Sequence, residues 1–152
     1  NNPELVVETL QDLVEKFEKA FEDFGLEKIK TVGDAIVAVA GLSSHAISPV
    51  KSCVECSYKL REIANTSSMP WDLHLGIHSG SLVAGTVGTK TVQFDILGKT
   101  VNMAFNICDI SDSNQILISS DAWMTARNEI KVKSIGLKRL KSGQDIEMLE
   151  CV

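Results

Sequence analysis

Apolar residues return every three or four positions near the start of the chain: Leu10, Leu13, Val14, Phe17, Phe21 and Phe24. That spacing lays one stripe along a helix. Asn2 followed by Pro3 reads as an N-cap and a proline at the first helical position, and Gly25 ends the helix. The pattern then changes to alternation over Glu27–Val32, with Ile29 and Thr31 on one side and Lys28, Lys30 and Val32 on the other. Gly33-Asp34 is a tight-turn pair, and Ala35–Ala40 is a small apolar strand. Together they predict a β-hairpin.

Pro49 opens a second long helix, expected to run to about Asn65, and a Ser/Asn-rich loop ends at Pro70. Leu73, Leu75 and Ile77 alternate with His74, Gly76 and His78, which predicts a strand. Gly80, Gly85 and Gly88 punctuate the next stretch as turns or close backbone approaches. Further strands are expected at Val92–Leu97, Gln115–Ser119, Ile130–Ile135 and Ile146–Cys151, with short helices at Lys99–Cys108 and Asp121–Arg127. Strands and helices mix without strict alternation. The expectation is one domain over residues 1–152, an α+β fold with helices packed on a largely antiparallel sheet.

Composition narrows the function. The hydrophobic fraction of 44% supports a core, and fifteen Lys and Arg against twenty Asp and Glu leave a net charge of -5. A nucleic-acid binder needs a basic face, so that class is disfavoured, whereas a single phosphorylated ligand needs only a local cluster of cations or bound metal. The longest apolar run, Ala35–Leu42, is far short of the roughly 18 residues of a membrane helix. Four cysteines give no disulfide framework, and Cys53-x-x-Cys56 has no second pair, so a reduced, cytosolic setting with buried helix cysteines is expected.

The candidate chemistry is ambiguous residue by residue. Gly98-Lys99-Thr100 before a helix invites a phosphate-loop reading, but Gln93 stands where that motif needs glycine. Asp34 is a common turn former. Lys30 and Lys141 suit solvated positions, and Asn102 suits a helix start. Asp95 is odder, lying between Phe94 and Ile96 in an apolar strand where Asp is disfavoured; an edge position is its bland explanation.

Three blocks in order remove much of that ambiguity. EKIKTVGDAIVAVAGL at Glu27–Leu42, LGIHSGSLVAGTVG at Leu75–Gly88 and FDILGKTVNMA at Phe94–Ala104 resemble successive blocks of the class III nucleotide cyclase catalytic domain. The N-terminal helix and the Lys141 tail fall in register, so the resemblance spans nearly the whole chain. It implies a ferredoxin-like cyclase domain that works as a homodimer or with a related domain, each site taking metal ligands from one subunit and the nucleotide pocket from the other. It implies two Mg²⁺ or Mn²⁺ ions per site, with Asp34 as one metal ligand; the family's other metal aspartate belongs to a first strand upstream of Asn1. Lys30 and Asp95 correspond to the pair that reads the purine. Lysine donates to adenine N1 and a carboxylate accepts from the 6-amino group, so this pair implies ATP, where guanylyl cyclases carry Glu and Cys. Ile96 and Gly33 join the substrate-binding set, Asn102 corresponds to the asparagine that orients ribose and transition state, and Lys141 to the lysine that binds the terminal phosphates. Asn106 stands where the family has a transition-state arginine. The resemblance therefore implies an adenylyl cyclase with weakened transition-state support, or a degenerate cyclase-fold module that regulates without catalysis.

Overall fold

The computed structural model describes residues 3–42, 48–87 and 93–152; the side chains of residues 83, 84, 86, 87 and 93–97 lie outside that description. The elements run α1 (Pro3–Phe24), β1 (Leu26–Val32), β2 (Ala35–Ala40), α2 (Pro49–Asn65), β3 (Leu75–Ile77), β4 (Val83–Val87), β5 (Gln93–Leu97), α3 (Lys99–Ile110), β6 (Ile116–Ser119), α4 (Ser120–Ala126), β7 (Val132–Arg139) and β8 (Asp145–Cys151). The expected α+β class holds. Antiparallel pairs dominate, and β3 against β6 is the one parallel pair among the described strands.

The main sheet has the order β3-β6-β8-β7. Its central strand β6 reads Ile-Leu-Ile-Ser and is buried throughout, because both of its faces are covered. Ile116 and Ile118 face Val50 and Val54 of α2 and Ala122 and Ala126 of α4. Leu117 faces the other way, onto Ile107 of α3, with Leu140 and Met148 closing that second core. A third cluster joins α1 to α2 and the β1-β2 hairpin: Leu13, Phe17, Ala20 and Phe21 meet Cys56 and Ala64, with Ile36 and Ala38 packed beneath.

Several expectations are corrected. Leu10 does not belong to the buried stripe of α1; it is 44% exposed, and Thr9 is buried in its place. The inward face follows 9, 13, 17, 20 and 21, and the Thr9 hydroxyl is satisfied by donating to the Leu5 carbonyl at 2.8 Å. The glycine-punctuated stretch contains a strand, β4, paired with β5 in the register Val83↔Leu97 to Val87↔Gln93. Gly85 sits inside it opposite Asp95, and the β-branched Val83, Thr86 and Val87 around it suit an extended chain. The expected start of the β5 strand at Val92 falls outside the described residues. The strand expected at Ile130–Ile135 begins at Val132 and runs on to Arg139, through a bulge between Ser134 and Gly136. Gly136 has φ +82° there, a conformation that glycine adopts without strain.

The C-x-x-C cysteines serve two different clusters, since Cys56 lies in the α1-α2 core and Cys53 packs against the sheet core. Burial pushes the Cys53 thiol up to about 11 and the Cys56 thiol up to about 12, so both are protonated packing groups at neutral pH. No described helix is long and apolar enough to cross a membrane.

Candidate active site

Helix α3 begins where Gly98, at φ +128°, turns the chain out of β5. The first turn closes with Asn102 N–H donating to the Gly98 carbonyl at 3.3 Å. Thr100 fixes the entry, its hydroxyl donating to the Ser81 carbonyl at 2.7 Å. Two adjacent stripes of this helix do different jobs. Met103, Ile107 and Ile110 face the second core. Asn102, Asn106 and Asp109 follow at i, i+4 and i+7, so they share the neighbouring face. Asn102 and Asp109 are exposed and Asn106 is half-buried.

Lys141 reaches that face from a different part of the chain. The turn between β7 and β8 is closed by Gly143 N–H donating to the Leu140 carbonyl at 2.9 Å, with Gly143 at φ +88°. Leu140 is 2% exposed and packs in the cluster that contains Ile107. That anchor holds the turn beside α3, and the Lys141 ammonium lies 3.7 Å from the Asp109 carboxylate. The fold thus brings Lys141 beside the C-terminal part of the α3 face that also carries Asn102 and Asn106. Asp109 was not among the expected site residues. Its only signal in sequence is its place three residues after Asn106.

The hairpin residues are placed by β1. Lys28 pairs with Ala38 and Lys30 with Val37, leaving Ile29 as the extra residue of a bulge. Lys28 pairs with Glu18 of α1 at 2.7 Å, and Lys30 is half-buried. Gly33 takes φ +60° in the turn, and a Cβ there would meet open space, so its requirement is conformational rather than steric. Asp34 follows it and is exposed. Its charge reaches α3: burial foremost, then Asp109 and Asp34, push the Cys108 thiol upward.

Asp95 and Ile96 lie on β5, opposite Gly85 and Ala84, and their side chains are outside the description. Strand β5 lies against both β1 and α3, so the strand of Asp95 runs between the elements that carry Lys30 and Asn102. Among the described residues no three acidic, imidazole or thiol groups cluster as a complete metal site. Asp34 is a hard, exposed oxygen donor, which fits one ligand of a magnesium-type ion. At the adjacent ends of β3 and β6, His78 Nδ1 lies 2.6 Å from the Ser119 hydroxyl, which also accepts from Ala122 N–H at the start of α4. Burial lowers the His78 pKa, partly offset by Asp121.

Comparison with known proteins bears on the family and the fold. The family profile described as adenylate and guanylate cyclase catalytic domain matches residues 1–149. A membrane guanylyl cyclase of Dictyostelium discoideum is 28% identical over 127 residues, 80% of this chain and 9% of that protein. Adenylyl cyclase X E of Drosophila melanogaster is 32% identical over 105 residues, 66% of this chain and 10% of that protein. The chain thus spans about a tenth of the length of these curated relatives. The guanylate cyclase domain of RhGC from Catenaria anguillulae, solved with GTP, superposes with a TM-score of 0.91 at 20% identity, covering 100% of this chain and 86% of that one. With a profile matching nearly end to end and the same fold in a solved cyclase domain, the chain belongs to the adenylate and guanylate cyclase catalytic domain family.

Proposed function

We propose that this domain converts ATP to 3′,5′-cyclic AMP and pyrophosphate at sites shared between two copies. The single observation that carries the purine choice is Lys30 on β1 beside β5, the strand of Asp95. Adenine presents an acceptor at N1 and a donor at its 6-amino group, which suit lysine and carboxylate. Guanine presents the reverse, a donor and a carbonyl acceptor. The relatives include both chemistries, so the choice rests on these two residues.

In the reaction the ribose 3′-oxygen forms a bond to the α-phosphorus, the bond to the bridging β-phosphate oxygen breaks, and the 3′-hydroxyl proton is released. Divalent ions held through Asp34 and the phosphate oxygens would lower the 3′-hydroxyl pKa and neutralise charge on departing pyrophosphate. Asn102 orients the ribose, Lys141 binds the terminal phosphates, Gly33 shapes the Asp34 turn, and Ile96 belongs with Asp95 to the substrate-binding set. Asp34 acts on the nucleotide held by the partner copy. Lys30→Glu combined with Asp95→Cys is expected to lower the ATP-to-GTP ratio of kcat/KM by about tenfold or more, the scale of one hydrogen bond to a charged group. Wild-type protein that cyclises GTP as efficiently as ATP overturns the assignment.

Asn106 favours a second reading, a cyclase-fold module that binds nucleotide with little or no turnover. An amide at that position donates a hydrogen bond but carries no charge, and loss of one preorganised transition-state donor costs about 10²–10³ in rate. Asn106→Arg in full-length protein is expected to raise kcat by about tenfold or more with KM little changed, because the charge acts chiefly in the transition state. Steady-state cyclic AMP production across ATP concentration at saturating Mn²⁺ makes the test. An arginine variant that folds and binds ATP but is no faster shows that another residue already supplies the charge. ATP binding with no turnover in either protein supports the regulatory module.

A further inference from the structure

Resting on the assignment of Lys141 to the terminal phosphates, we propose that Asp109 is a positioning residue that occupies Lys141 until substrate phosphate displaces it. Three observations converge. Asp109 shares the α3 face of Asn102 and Asn106, so a polyphosphate held by Lys141 would come close to its carboxylate. The Lys141 ammonium is 3.7 Å from that carboxylate. The Leu140 anchor, 2% exposed against the cluster of Ile107, fixes the turn next to α3 and so keeps the base of the lysine side chain near Asp109.

The physics is a competition between two anions for one cation. A carboxylate carries one negative charge, whereas the terminal phosphates of a triphosphate carry several. The pair is exposed, with the lysine side chain 71% and the aspartate side chain 45% accessible, so it is weak and readily exchanged. In the nucleotide-free domain it biases the ammonium toward the site face. When phosphate arrives, Lys141 transfers to it and Asp109 is left as a nearby negative charge. That charge opposes polyphosphate binding, and by the same argument it assists release of the pyrophosphate product. Asn106 adds no positive charge to offset it; Lys99, three residues before Asn102, is the cation of α3 nearest that face.

The test is the affinity of full-length protein for magnesium pyrophosphate and, separately, for AMP, measured by isothermal titration calorimetry. Asp109→Asn is expected to tighten pyrophosphate binding by about two- to fivefold, the range of an exposed ion pair, and to leave AMP, which has no terminal phosphates, unchanged. The gain should shrink in high salt, because exposed charges are screened. In a Lys141→Ala background the same substitution should give a markedly smaller gain. A full gain without Lys141 overturns the proposal, since Asp109 would then act without the lysine. Equal tightening for AMP overturns it as well, since that marks a structural change in α3. Pyrophosphate that binds wild-type and Asp109→Asn alike, and more weakly to Lys141→Ala, sinks the proposal while sparing the Lys141 assignment. Pyrophosphate indifferent to Lys141→Ala removes both.

Discussion

Asp34→Ala is expected to cut cyclic-nucleotide formation about 10³-fold or more, and an equal mixture with Lys30→Ala chains should restore about a quarter of wild-type activity. The first loss follows from the chemistry. A metal ion at a transferring phosphoryl group supplies several kcal/mol of transition-state stabilisation, and about 1.4 kcal/mol is tenfold in rate. Asp34 is the exposed carboxylate of the β1-β2 turn, and in the proposed site it is the residue that would hold such an ion. The rescue follows from symmetry. In a two-fold dimer each site would take Asp34 from one copy and Lys30 from the other. Random mixing makes about half the dimers hybrid, and each hybrid has one site with both residues intact and one with neither. The measurement is cyclic AMP production across mixing ratios, with hybrid formation followed by two affinity tags. Hybrids that form and stay inactive at every ratio rule out a site divided in this way.

The second large effect is on folding. Gly76→Ala is expected to destabilise the domain by about 3 kcal/mol, the upper end of typical overpacking. A Cβ at this position would lie 2.5 Å from the Cys108 amide nitrogen and 2.8 Å from the Ala104 carbonyl oxygen. These are backbone atoms of α3, so relief requires moving the whole helix away from β3. A domain of this size loses about 2–4 °C in Tm per kcal/mol, which gives a fall of about 6–12 °C in a circular dichroism melt. Gly85→Ala is the control: it lies in a strand with no positive φ, and its Cβ would meet nothing within 4 Å. Its melt should stay close to wild type. Because α3 carries Asn102 and Asn106, any surviving Gly76→Ala protein should also lose activity below its melting temperature. A Gly76→Ala melt within about 2 °C of wild type would falsify the close-packing argument.

Much of this protein is local in origin and was legible in the sequence. The helix of Pro3–Phe24 follows from an apolar stripe at helical spacing, and the hairpin across Gly33-Asp34 from alternation interrupted by a turn pair. Five further strands and three further helices were placed within about four residues of their ends by local pattern and punctuation. The family resemblance came from short blocks whose residues are adjacent in the chain, so Lys30, Gly33, Asp34, Asp95 and Asn102 could be named without coordinates. Local pattern failed where pairing decides. Nothing in VAGTV alone says that it pairs with QFDIL, because a glycine within five residues reads as a break until its partner strand is present. The bulge at Gly136 likewise depends on the register against β8. Leu10 and Thr9 differ by one helical step of about 100°, and only the packed position of α2 and the hairpin decides which of them turns inward. The proximity of Lys141 to Asp109 is a long-range fact. The two are 32 positions apart, and buried Leu140, packing with Ile107, brings them together. Periodicity along a chain reports which face a residue occupies; which face of another element meets it is set by the hydrophobic burial of both, and that only the tertiary structure decides.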